Sequence, residues 1–244
     1  MLCGGWLKVN NKKTILDKKK EKVVKNTKIN SYKFDEEIEK KFLKEISKRN
    51  IENSLEKLQK ARVCILGAGG LGSNIAIMLA RSSVGYLHIV DFDLVEVSNL
   101  NRQAYFLEDI GKMKTEAIKN KIEKINPLVK VDIENTKITD KNIGRIIKKE
   151  NIIVEAIDDA KTKAMIVNEV LEKHSGKTIV SASGMAGLED SNNIKIKRIM
   201  NNLYISGDGY TDFEEYRGIM SPRVMICAGH QANTVLRIIL EKED

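Results

Sequence analysis

Two short strings and two isolated charges hold the residues of this chain best suited to chemistry. The first string is Gly67-Ala-Gly69-Gly70-Leu-Gly72, which follows the apolar run Val63–Leu66. Gly67 lets the chain turn sharply off a strand, Gly69 leaves a phosphate unobstructed, and Gly70 continues the turn. Gly72 lets the following helix pack close to the sheet. The first amides of that helix lack intrahelical acceptors and sit at the positive end of its dipole, so an anion is favoured there. The second string runs from Asp91-Phe-Asp93 to Ser98-Asn99-Leu-Asn101-Arg102-Gln103. Asp91 lies 19 residues after Gly72, where a carboxylate meets ribose hydroxyls. Arg102 offers a planar fork that suits a β- or γ-phosphate. Lys114 is close enough in the chain to reach the same phosphates. Asp158, with Asp159 behind it, stands at a strand end where a phosphate-bound magnesium ion can be held, or where a helix can be capped. Asp93 is a candidate for the nucleotide site or for capping its own loop. A dinucleotide dehydrogenase has the glycine turn but leaves Arg102 and Lys114 unexplained, so the set points to a nucleoside triphosphate.

Positioning these groups requires alternating strands and helices. Strands are expected at Val63–Leu66, Leu87–Val90, near Val129–Ile133, at Ile152–Ile157 and at Thr178–Ala182. Helices are expected at Leu71–Ser83, with Gly85 as its stop, at Lys112–Ile125 before Asn126-Pro127, and at Ala160–His174. Near-continuous apolar strands in such alternation predict an α/β fold: a doubly wound, mostly parallel, Rossmann-like sheet covered on both faces. Asn193–Ile199 and Leu203–Ser206 alternate polar and apolar residues, as half-exposed antiparallel strands do. A glycine-containing loop over residues 207–221 and a closing helix over Pro222–Glu241 complete the domain.

The chain has 244 residues and a net charge of +8. Residues 1–62 hold 18 Lys/Arg against 9 Asp/Glu, and the remainder holds 24 against 25. The basicity therefore belongs to an N-terminal extension, residues 1–60, and the nucleotide domain is expected over residues 61–244. Within the extension, Leu7–Asp17 suits a hairpin and Lys18–Lys28 a charged connector. From Asp35 to Lys60, Ile38, Phe42, Ile46, Ile51, Leu55 and Leu58 recur at helical spacing, with a break near Asn50. Aromatic residues suited to base stacking are scarce, which argues against nucleic acid as a partner. No apolar run approaches a membrane span, and the N-terminus lacks a secretory layout, so a cytoplasmic protein is expected. The three cysteines are far apart with no Cys-x-x-Cys pair, so neither a disulfide framework nor a thiolate zinc site is expected.

The glycine turn, Asp91-Phe-Asp93, Ser98-Asn99-Leu-Asn101-Arg102-Gln103, Gly111-Lys-Met-Lys114, Ile125-Asn126-Pro127 and the strand end at Asp158 together resemble the ThiF/MoeB/HesA family, the bacterial relatives of ubiquitin-activating enzymes. The resemblance runs roughly from Leu58 to Leu240, and the tail from Pro222 to Asn233 is most similar to the short, zinc-free ThiF branch of thiamine biosynthesis. It implies an ATP- and magnesium-dependent adenylyltransferase acting on the C-terminal Gly-Gly carboxylate of a ubiquitin-like, ThiS-like sulfur carrier. It also implies a homodimer in which an arginine of the partner's N-terminal helix enters the site, with Arg49 or Arg62 as the counterpart. By position, Asp91 would bind ribose; Asn99, Arg102, Gln103 and Lys114 would contact phosphates; Asp158 would ligate magnesium. Asp159 departs from the asparagine found in many relatives, and no cysteine lies between Gly184 and Pro222, where some members use one for sulfur transfer. Cys227, inside the closing helix, suits a buried structural thiol, and His88, His174 and His230 fall in no nucleophile motif. Activation of another carrier, of a small carboxylate or of a tRNA base stands as the alternative within the family.

Overall fold

The computed structural model describes residues 35–216 and 218–241. The expected hairpin at Leu7–Asp17 and connector at Lys18–Lys28 lie outside the described residues. The sheet belongs to a compact unit that starts at Phe42. Helix α1 (Glu36–Ile46) buries none of its residues. Leu58 of α2 (Leu55–Lys60) is buried in the same core as Val63 and Ile65.

In that unit the elements follow in the order β1 (Arg62–Leu66), α3 (Gly70–Arg81), β2 (Tyr86–Asp91), α4 (Lys114–Ile125), β3 (Lys130–Asn135), α5 (Ile143–Ile146), β4 (Ile152–Glu155), α6 (Ala160–Lys173) and β5 (Thr178–Ala182). Then come β6 (Lys195–Met200), β7 (Leu203–Gly207), α7 (Phe213–Tyr216) and α8 (Ser221–Ile239). The strands make one seven-stranded sheet in the order β3-β2-β1-β4-β5-β7-β6. Every neighbouring pair is parallel except β6 with β7. This is the expected doubly wound α/β sheet. Strand order reverses between β1 and β4, and that switch point opens a crevice beyond the carboxyl ends of the strands.

Each face of the sheet has its own core. Val63, Ile65, Leu87 and Ile89 pack with Leu71, Ile75 and Leu79 of α3, Ile118 and Ile122 of α4, and Cys227, Ala228 and Val235 of α8. Cys64, Leu66, Val90 and Ile153 point to the other face, with Ile143 and Ile146 of α5 and Ile166 and Val170 of α6. Alternation along β1 thus feeds two cores, as a sheet covered on both sides requires.

Some expectations need correction. Helix α3 ends at Arg81, and the left-handed residue after it is Ser83, with φ of 65°. Gly85 is needed for a different reason: a Cβ there would lie 1.9 Å from the Gln59 carbonyl oxygen. Strand β4 stops at Glu155, because Ile157 turns its amide onto the Glu155 carboxylate at 2.7 Å. Strand β7 is mostly buried, not half exposed, since β5 pairs with it in parallel and β6 covers its other edge. The exposed edge, β6, carries Lys195, Lys197 and Arg198, charges that discourage further strand pairing. The late loop contains α7, which was not foreseen.

Candidate active site

The crevice at the switch point holds about 660 Å³ and is lined by Gly67, Gly69, Gly70, Asp91, Asp93, Arg102, Gln103, Lys114 and Asp158. One cleft therefore gathers most of the residues read from the sequence. Gly67 adopts φ of +97°, and a Cβ there would meet the Ala156 carbonyl oxygen at 2.6 Å. Gly72 does not line the cleft; a Cβ on it would meet the Gly67 carbonyl oxygen at 1.8 Å, so it sets the approach of α3 to β1.

Asp91 closes the turn from below. Its two carboxylate oxygens accept the Ala68 amide at 2.6 Å and the Asp93 amide at 2.8 Å. Each oxygen retains a lone pair that a ribose hydroxyl can use. Lys114 is the first residue of α4 and is buried, with its ammonium 2.6 Å from the Asp93 carboxylate. Asp93 therefore positions Lys114 as well as bordering the cleft. Tyr105 sits behind both, its hydroxyl within reach of the Ala68 carbonyl at 2.7 Å and the Lys114 carbonyl at 3.2 Å. Burial, with Asp91, Asp109 and Asp93 nearby, pushes this phenol up, so it stays a donor.

Ser98, Asn99 and Asn101 do not line the cleft; they build the turn that aims Arg102. The Asn99 side chain accepts the Glu96 amide at 3.0 Å, and its carbonyl accepts the Arg102 and Gln103 amides at 3.2 and 2.9 Å. Nη1 of Arg102 donates to the Ser98 carbonyl at 3.2 Å and to the Asn101 side chain at 2.8 Å. The fork is thereby fixed from one nitrogen, with its other edge available to an anion. Gln103 is buried, and among the described residues its Oε1 is without a hydrogen-bond partner, a polar atom that a ligand's N–H or O–H would satisfy.

Asp159 caps α6, accepting the Thr162 amide and hydroxyl at 2.7 Å each. Bonds from Thr162 hold its carboxyl below the ordinary range. Asp158 lines the cleft. Arg62 stacks 3.5 Å over the Tyr86 ring and lies 3.5 Å from Glu150, at the amino end of β1. Arg49 lies in the turn after α1.

Several positioning residues escaped the sequence reading. Asn74 of α3 donates to the Gly70 carbonyl at 2.7 Å and the Arg102 carbonyl at 3.0 Å, and Ser73 accepts the Ala104 amide at 3.1 Å. Two polar residues on the buried face of an apolar helix were the available signal. Lys163 also lines the cleft, paired with buried Glu155 at 2.6 Å. Arg223, 2% exposed, bonds to Asp208 and to the carbonyls of Glu189, at 2.6 Å, and Asp190, at 3.2 Å. It ties the segment after β5 to the late loop, from which Thr211, Asp212, Phe213 and Ile219 reach the cleft. Cys227 is buried against Ser206, and burial pushes its thiol up to about 11.

A glycine turn, a strand-end carboxylate and the side chains of Arg102 and Lys114 meet in one crevice of a Rossmann-like α/β fold. The sequence pattern of the ThiF family matches residues 42–244, and this chain belongs to that family. A stretch of 130 residues is 42% identical to an adenylyltransferase and sulfurtransferase UBA4 of Debaryomyces hansenii, covering 53% of this chain and 29% of that protein. Another, of 146 residues, is 34% identical to a tRNA threonylcarbamoyladenosine dehydratase of Haemophilus influenzae, covering 59% and 55%. A sulfur carrier protein adenylyltransferase of Thermus thermophilus is 36% identical over 112 residues, 46% of this chain and 41% of that protein. The chain thus spans little more than half the length of these curated relatives at most. The Escherichia coli tRNA N6-threonylcarbamoyladenosine dehydratase solved in complex with ATP shares the fold, with a TM-score of 0.74 and 19% identity over 85% of this chain and 97% of that one.

Proposed function

We propose that this protein is an ATP-dependent adenylyltransferase that activates a carboxylate, and that the carboxylate is the C-terminal Gly-Gly of a ubiquitin-like, ThiS-like sulfur carrier, in the service of thiamine thiazole synthesis. The observation that carries the reading is the lining of one cleft by the glycine turn, Asp91, Arg102, Lys114 and Asp158. The relatives named as adenylyltransferases support the reaction, and the name of the Thermus thermophilus relative supports the carrier.

ATP fits the residues present: the turn leaves room for phosphate, Asp91 has lone pairs for ribose, and Gln103 has an unsatisfied buried oxygen. A carboxylate is already a nucleophile at neutral pH, so no general base is required. Its oxygen forms a bond to the α-phosphorus while the bond from that phosphorus to the bridging oxygen breaks, and pyrophosphate leaves. Arg102 and Lys114 bind and orient the departing phosphates and offset their growing charge. A magnesium ion held by Asp158 would supply charge neutralisation at the phosphate oxygens. The late loop covers the cleft through Thr211, Phe213 and Ile219, and a tail without side chains suits the passage beneath it. We place the reaction in the cytoplasm and expect a homodimer. Exposed Leu94, Val97, Phe106, Leu107 and Ile110 beside the nucleotide loop support the latter.

A second reading, activation of a tRNA-linked carboxylate, is favoured by the dehydratase relative, of which this chain covers 55%, and by the basic residues 1–62. Exchange of labelled pyrophosphate into ATP decides between them. Exchange that needs a Gly-Gly carrier supports the first reading. Exchange that needs tRNA, and ignores carriers, replaces the first with the second.

A further inference from the structure

On the face of the sheet covered by α5 and α6, toward the amino ends of the strands, three potential metal ligands meet that the nucleotide chemistry does not use. Cys64 and His88 are register partners on β1 and β2, so their side chains leave the sheet on the same face. Glu150, in the segment just before β4, reaches the same spot. All three are buried, and their ligand atoms lie within 4.8 Å of one another. The Cys64 sulfur is 3.8 Å from His88 Nδ1, and Glu150 Oε2 is 3.8 Å from the same nitrogen. We propose that Cys64, His88 and Glu150 form a zinc-binding site.

Three observations carry this. First, the spacing is right. A tetrahedral zinc with bonds of about 2.3 Å to sulfur and about 2.0 Å to nitrogen and oxygen sets its ligand atoms roughly 3.3–3.5 Å apart. The two separations from Nδ1, each 3.8 Å, need contract by only a few tenths of an ångström to reach that spacing, and the sulfur and Oε2 lie within 4.8 Å of each other. Second, Glu150 Oε2 is buried and, among the described residues, has no hydrogen-bond partner. An unsatisfied carboxylate oxygen in the interior is costly, and a cation removes that cost. Its other oxygen is occupied by Arg62 at 3.5 Å, which leaves Oε2 directed at the sulfur and the ring.

Third, an outer layer is already in place. Nε2 of His88 lies 3.8 Å from Glu134 Oε1, and Arg145 grips both oxygens of Glu134 at 2.8 Å. Closing that separation to hydrogen-bond distance would let the carboxylate hold the tautomer in which Nδ1 is the ligand. A thiolate and a carboxylate together match the charge of a divalent ion. A cleft of about 570 Å³, lined by His88, Glu134 and Glu150, offers an entry path and room for a fourth ligand. The donor set of one sulfur, one nitrogen and one oxygen suits zinc over magnesium or calcium. No closely spaced cysteine motif signals such a site, because its ligands come from two strands and a loop far apart in the chain.

The test uses the full chain with Cys3→Ser and Cys227→Ser, so that Cys64 is the sole thiol. Cobalt(II) should give a thiolate charge-transfer band at one equivalent per chain, and zinc should displace it. In the otherwise wild-type chain, Cys64→Ser should abolish the band, and His88→Gln should weaken metal binding more than about a hundredfold. Zinc should raise the melting temperature of the wild type and not of Cys64→Ser. Absence of the band from protein that melts cooperatively would overturn the proposal. So would zinc retained equally by Cys64→Ser. If Glu134 and Glu150 serve only to embrace a protonated His88, zinc would leave every melting temperature unchanged, which also refutes the site.

Discussion

Arg102→Ala separates the phosphate role of this residue from any role in folding. The guanidinium bonds to the Ser98 carbonyl and the Asn101 side chain, both on an exposed turn. Loss of such surface bonds costs about 0.5 kcal/mol of stability. A charged hydrogen bond to phosphate is worth about 1.5–3 kcal/mol, and each 1.4 kcal/mol is about tenfold in affinity. Binding of a non-hydrolysable ATP analogue with magnesium should therefore weaken roughly 10- to 150-fold. AMP, whose single phosphate rests on the glycine turn, should bind within about twofold of wild type. Arg102→Lys should fall between, since it retains the charge and loses the fork. Titration calorimetry with both nucleotides measures the difference directly, and a thermal melt confirms folding. Equal losses for ATP and AMP would mean that Arg102 holds the turn and does not grip the outer phosphates. An unchanged ATP affinity would remove it from the site.

Gly72→Ala should destabilise by about 3 kcal/mol or more in denaturant unfolding, because its Cβ would lie 1.8 Å from a backbone oxygen that cannot yield. Arg223→Met should cost about 3–5 kcal/mol by leaving Asp208 buried and unpaired, and adding Asp208→Asn should recover part of that in the same melts. Burial works against the Asp208 carboxylate, but the Thr211 and Tyr210 amides, the Thr211 hydroxyl and Arg223 outweigh it and hold its pKa below the ordinary carboxylate range. The stability this supplies is complete above the unfolded value of about 3.9 and is lost as pH falls through the folded one, so acid unfolding should begin below about pH 4 and be less steep in Asp208→Asn. Cys227, with its thiol pushed up to about 11, should resist iodoacetamide at pH 8, where roughly a thousandth is thiolate; mass spectrometry of its peptide would detect rapid labelling, which would contradict burial.

Much of the candidate site could be read before folding because its residues are close in sequence to the elements that aim them. The turn from Gly67 to Gly72 and the string from Asp91 to Gln103 are local, and their roles follow from strand-to-helix geometry. Asp158 and Asp159 could not be told apart from spacing alone. The bond from the Thr162 amide to Asp159 decided which one caps α6. Asn74 and Arg223 were missed because their partners, the Arg102 carbonyl and Asp208, meet them only across the folded interior.

The sequence by itself determined the alternation of apolar strands and helices, hence the parallel sheet, the switch point and a phosphate turn beside it. Those follow from periodicity and from the backbone freedom of glycine, which are properties of short stretches. Only the tertiary structure decided that Asp93 holds Lys114, that Arg223 ties the late loop to the segment after β5, and that Cys64 faces His88 and Glu150. Each of those depends on strand register and on which side of the sheet a connection crosses. Register is set by packing summed over the whole domain, so no local pattern records it.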